Sequence, residues 1–75
     1  MSKHTVAAEL VGNVAQVMVS VGDGVRPTDT LVILESMKME IPVLAEVSGV
    51  VAEVAVAVGD VISEGDTIAV IETGG

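Results

Sequence analysis

Apolar and polar residues alternate through two short runs, "VAQVMVS" at 14–20 and "VAEVAVA" at 51–57, with valine at 17 and 19 and again at 54 and 56. Alternation of period two marks a strand with one buried face. Each run gives way to a Gly-Asp pair, at 22–23 and at 59–60. Glycine there tolerates positive φ, and aspartate bonds to nearby backbone, so both pairs read as turns. After a second turn, "TDTLVIL" and "GDTIAVI" resume strand character. Short strands at nearly regular spacing predict an all-β sandwich or barrel.

The two series are copies of each other. Residues 9–36 match residues 46–73 without a gap when displaced by 37 positions. Identities include Gly12/Gly49, Val14/Val51, Val17/Val54, Val19/Val56, Gly22/Gly59, Asp23/Asp60, Asp29/Asp66, Thr30/Thr67 and Glu35/Glu72. A shared taste for valine would not align the Gly-Asp turns, so the match reads as a duplication. The expected organisation is one domain over 1–75, with repeat halves of about 9–36 and 46–73. Their apolar faces would cover each other around a pseudo-two-fold axis.

One stretch resists this reading locally. "TLVILESMKMEI" is rich in helix formers, and Leu31, Leu34, Lys38 and Ile41 approach helical spacing. Its repeat partner, "TIAVIETGG", is β-branched and ends in Gly-Gly. Equivalent halves should share a backbone, so the stretch is assigned to two strands, 30–35 and 40–45. Ser36 to Met39 then form a tight connection, with Pro42 acceptable in an edge strand. No Gly or Asn is present there, which predicts a type I turn rather than the positive-φ type I′. Lys38 projects from its tip.

Composition narrows the chemistry. The chain of 75 residues has no cysteine, one histidine and no aromatic residue. Disulfides and Cys/His zinc sites are excluded, so apolar packing must hold the domain. A net charge of −8 argues against nucleic-acid binding, and without aromatics there is no platform for stacking bases. No apolar run approaches a bilayer-spanning length, and the start lacks a signal peptide's apolar stretch. A cytosolic protein without membrane association, monomeric when isolated, is expected.

Against that background Lys38 stands out. Solitary lysines on turns are ordinarily just solvated. This one has only Lys3 as a fellow lysine, lies between Met37 and Met39, and sits at the junction of a repeat. A hairpin tip cannot bury two methionines, and exposed methionines suit a surface that another protein grips adaptably.

The stretch "ESMKME" at 35–40 resembles the attachment site of the biotinyl domain, the carrier module of biotin-dependent carboxylases. The resemblance extends over nearly the whole chain, through "GNV" at 12–14, both Gly-Asp turns and "SGVV" at 48–51. It implies a flattened barrel-sandwich hybrid of two four-stranded antiparallel sheets. By the same resemblance, Lys38 carries amide-linked biotin, placed there by a biotin protein ligase. Met37 and Met39 are implied as recognition and positioning residues, and Glu35 as an acidic ligase-recognition residue. Glu35 reads equally well as a solvated strand-end carboxylate, since Glu72 repeats it with no lysine alongside. The implied function is a non-catalytic carrier shuttling carboxyl groups from a biotin carboxylase to a carboxyltransferase, often toward an acyl-CoA. Its ends, Met1-Ser2 and Gly74-Gly75, fit a free-standing carrier.

The gapless match of 14–25 to 51–62 leaves no room for the thumb loop of some relatives, which predicts a freely swinging arm. Thr28 stands where the second half has Gly65, so those two turns need not be identical. Two other functions remain open: a lipoyl carrier of a 2-oxo-acid dehydrogenase or glycine cleavage system, and an unmodified interaction module. Lipoyl domains typically carry Asp-Lys-Ala at this site, and Met-Lys-Met argues against them. Asp23, Asp29, Asp60 and Asp66 lack the spacing of a calcium loop and are expected to bond their own turns. Val21 and Val58 continue the alternation onto the outer face, and His4 falls in a frayed start.

Overall fold

The computed structural model describes residues 2–74, all in strands, turns and loops. The strands are β1 (Ser2–Ala7), β2 (Gly12–Val17), β3 (Gly24–Val25), β4 (Thr30–Ser36), β5 (Met39–Leu44), β6 (Gly49–Val54), β7 (Val61–Ile62) and β8 (Thr67–Thr73). They form two four-stranded antiparallel sheets, ordered β1-β8-β6-β3 and β5-β4-β2-β7. The helix-like "TLVILESMKMEI" is strand, turn and strand, as its repeat partner required.

Shifting β1 through β4 by 37 positions reproduces the bounds of β5 through β8. The repeat therefore begins at residue 2 rather than at 9. His4 is not in a frayed start: β1 pairs along β8, with His4 opposite Ile71, and His4 Nε2 lies 3.3 Å from Glu46 Oε1. The Val6/Val43 identity, at the same offset, was the available signal for this strand.

The two halves do not stack as separate layers. Each sheet draws two strands from each half, so β1 and β3 join β6 and β8, while β2 and β4 join β5 and β7. Reciprocal backbone bonds lock this exchange. Val14 N–H donates to Asp60 O and Val51 N–H donates to Asp23 O, both at 2.9 Å. A turn carbonyl of each half thus satisfies a strand of the other.

Between the sheets lie Val6, Val14, Val25, Leu31, Val32, Leu34, Val51, Ile62, Ile68 and Ile71, with Ala8, Ala45 and Ala69 in the gaps. Most form symmetry pairs, such as Leu31/Ile68 and Leu34/Ile71. Val17, Val19, Val54 and Val56 pack half-buried on the margin. Strands β2 and β6 stop at 17 and 54, so 19 and 56 lie in the following connections.

All four aspartates close turns in one way. Backbone N–H groups of Ser20, Arg26, Ala57 and Ser63 donate to Oδ2 of the aspartate three residues on, at 2.8–2.9 Å. Each aspartate N–H donates back to the first carbonyl at 3.0 Å. These reciprocal bonds occupy the carboxylates structurally. In three of the turns the third residue is a left-handed glycine, Gly22, Gly59 or Gly65, at φ of 92–97°. Thr28 takes that place in the fourth and is not left-handed; Glu46, at φ 71°, donates to Pro27 O instead. Val21 and Val58 are second residues of such turns, 64% and 66% exposed, rather than outward residues of a strand.

Candidate functional site

The first half ends where β4 turns into β5. Ser36 pairs with Met39, leaving Met37 and Lys38 as a two-residue loop. Their φ values are 52° and 66°. Two consecutive positive φ angles are the signature of type I′, so the type I turn expected from composition is incorrect. A two-residue hairpin must match the right-handed twist of its strands, and type I′ does so where type I would splay them. That requirement overrides the preference for Gly or Asn. Holding two side chains in the left-handed region costs about 1–2 kcal/mol per residue, met by the β4–β5 ladder.

The turn presents its side chains outward. Met37 is 92% exposed, Met39 is 59% exposed, and Lys38 is exposed between them. Among the described residues no hydrogen bond or ion pair involves the Lys38 side chain. An unencumbered amine at a rigid tip is chemically able to accept an acyl group, given an enzyme to activate the acid and remove the proton. Met39 continues the inward-facing row of Ile41 and Val43 beyond the end of the sandwich, and so remains uncovered.

The carboxylates beside the tip are unbalanced. Glu35 lies directly opposite Glu40, both exposed. At the equivalent place in the other sheet Lys3 lies opposite Glu72. Like charges facing across a ladder cost a few tenths of a kcal/mol, so the scaffold tolerates here a pairing that it balances elsewhere. Beneath the tip, Gly12 lets the chains approach closely, since a Cβ there would lie 2.8 Å from the Glu35 carbonyl oxygen. This gives "GNV" its physical basis. The connection from β2 to β3 (18–23) has the length of its mate (55–60), so no extra loop rises beside the turn.

Residues 4–71 match the family model for biotin/lipoyl domains, described as "Biotin-requiring enzyme". The chain belongs to the biotin/lipoyl domain family. Over 39 residues it is 62% identical to the "Biotinylated protein TB7.3 homolog" of Mycobacterium leprae, an alignment spanning 52% of this chain and 55% of the relative. The chain thus matches about half the length of that curated relative. Its fold superposes on part of the urea carboxylase of Kluyveromyces lactis with a TM-score of 0.89 and 33% identity, covering 96% of this chain and 6% of that one. The lipoyl domain of the 2-oxoglutarate dehydrogenase complex from Azotobacter vinelandii gives a TM-score of 0.73 and 32% identity, covering 87% of this chain and 82% of that one. The barrel-sandwich architecture expected of a biotin/lipoyl domain is the one observed.

The strained turn is open to a direct check. Met37→Gly, which relieves one left-handed side chain, is expected to raise stability by about 1 kcal/mol. Urea unfolding at constant m-value measures it; an unchanged or lower midpoint would contradict the strain argument.

Proposed function

We propose that this biotin/lipoyl domain is a non-catalytic carrier whose Lys38 holds biotin in amide linkage. The observation that carries this reading is the exposed Met37-Lys38-Met39 tip on a rigid type I′ hairpin. An exposed amine at such a tip fits the group, since the lysine needs no other protein atom to hold it. When bound, biotin would supply a ring nitrogen able to carry a carboxyl group between two enzymes. The chain's own part is positional. The β4–β5 ladder fixes where the arm begins, Met37 and Met39 offer adaptable apolar contacts, and Glu35 gives the ligase an acidic mark beside the lysine.

The partners are a biotin protein ligase, then the biotin carboxylase and carboxyltransferase subunits of a cytosolic carboxylase with an acyl-CoA acceptor. Tethering rather than tight binding does the work, because a flexible link gives effective concentrations on the order of millimolar. With no thumb-like loop beside the tip, the arm swings freely.

Intact-mass measurement of the protein from its native cell, followed by labelling with radioactive bicarbonate in the presence of ATP and the co-purifying large subunits, tests this. One biotinyl increment and label on the carrier are expected. A lipoyl increment would move the assignment to the 2-oxo-acid dehydrogenase or glycine cleavage class, and an unmodified lysine would leave an interaction module.

A further inference from the structure

The duplicated scaffold contains its own control. Strands β1 and β5 occupy equivalent edges, one in each sheet, so differences between them are not demanded by the fold. Residue by residue, β5 is the more apolar: Met39 stands for Ser2, Ile41 for His4, Pro42 for Thr5 and Leu44 for Ala7. The same strand borders a groove of about 380 Å³ between the two edges, lined by Ile41, Pro42, Val43 and Leu44 together with Val6 and Leu10. The symmetry-related carboxylates Glu9 and Glu46 also line it. The groove adjoins the strand that leaves the Lys38 turn.

Building on the carrier reading, we infer that β5 and this groove dock the enzyme that works on the Lys38 group, by taking an apolar side chain flanked by lysine or arginine. The carboxylate of Glu9 at the groove, with Glu35 and Glu40 toward the turn, supplies the complementary charge, while Glu46 at the groove already faces His4 Nε2 at 3.3 Å. A second copy of the chain is the poorer occupant, because each copy carries a net charge of −8 and would repel the other. Strand addition is equally disfavoured, since Pro42 removes a donor from the β5 edge. The contact is therefore made by side chains entering the groove, and its rate of formation falls with salt.

The test exchanges β5 residues for those that the scaffold already accepts in β1. The double variant Pro42→Thr/Leu44→Ala, isotope-labelled and without biotin, is titrated separately with purified biotin carboxylase and carboxyltransferase subunits. In the wild-type protein, amide resonances of β5 and residues 6–10 should broaden first. The variant should bind at least one subunit roughly tenfold more weakly, with a matching rise in KM and unchanged kcat once fully biotinylated. Equal affinity for both subunits in wild type and variant overturns the inference, as does broadening centred on the β8 and β6 face. Self-association abolished by the variant would assign the groove to a second copy and also overturn it. A wild-type protein that is biotinylated but never carboxylated would instead defeat the carrier reading, and this inference with it. Unfolding midpoints of wild type and variant within error exclude a folding artefact.

Discussion

Lys38→Arg is expected to abolish biotin incorporation completely while leaving the fold intact. Arginine keeps the charge and fits the same exposed turn position. Its guanidinium remains protonated and delocalised, so it offers no nucleophilic nitrogen. Lys3 cannot take over the role. It lies within β1 opposite Glu72, in extended backbone, rather than at the tip of a turn. Intact mass after co-expression with a biotin protein ligase gives the result directly, and a streptavidin blot gives it independently. A biotinyl increment surviving in the variant would remove Lys38 from the argument.

The second large effect is on stability. Leu31→Ala and Ile68→Ala should each cost about 2–5 kcal/mol, because both side chains are fully buried and leave a cavity that strands relax into poorly. At roughly 0.05–0.15 kcal/mol per residue, a domain of this size has on the order of 4–11 kcal/mol in all. Either change thus removes a large share, and the pair together should leave the chain unfolded at ambient temperature. As Leu31 and Ile68 are symmetry mates, their costs should agree within about 1 kcal/mol. Val61→Ala, at a position 76% exposed, should shift stability by less than about 0.5 kcal/mol. Urea unfolding compares all three; a mild Leu31→Ala would mean the core is not where the fold places it.

Much of this is legible in the sequence. The displaced match aligned the Gly-Asp turns, and Asp23, Asp29, Asp60 and Asp66 each close a turn by backbone bonds, as their residue type suggests. The same match decided strand over helix at Leu31 to Ile41, where local propensity alone was undecided. The structure departs from the sequence expectation where a local preference meets a non-local constraint. The Met37-Lys38 turn contains neither Gly nor Asn, yet strand twist forces both residues left-handed. The polar opening of β1 gave little periodicity, and β8 supplies the ladder that orders it. At Val21 and Val58 the apolar alternation runs on past the end of the strand, which stops at Val17 and Val54.

The sequence by itself determined the strand-rich class, the duplication and the lysine between two methionines, because these depend on side-chain period and residue type read locally. Only the tertiary structure decided that each half lends strands to both sheets, that β1 and β5 are equivalent edges, and that a groove opens between them. Those features arise from hydrogen bonds and packing between residues far apart in the chain, such as Val14 with Asp60 and Val51 with Asp23. No window of neighbouring residues encodes which distant carbonyl a given amide will find.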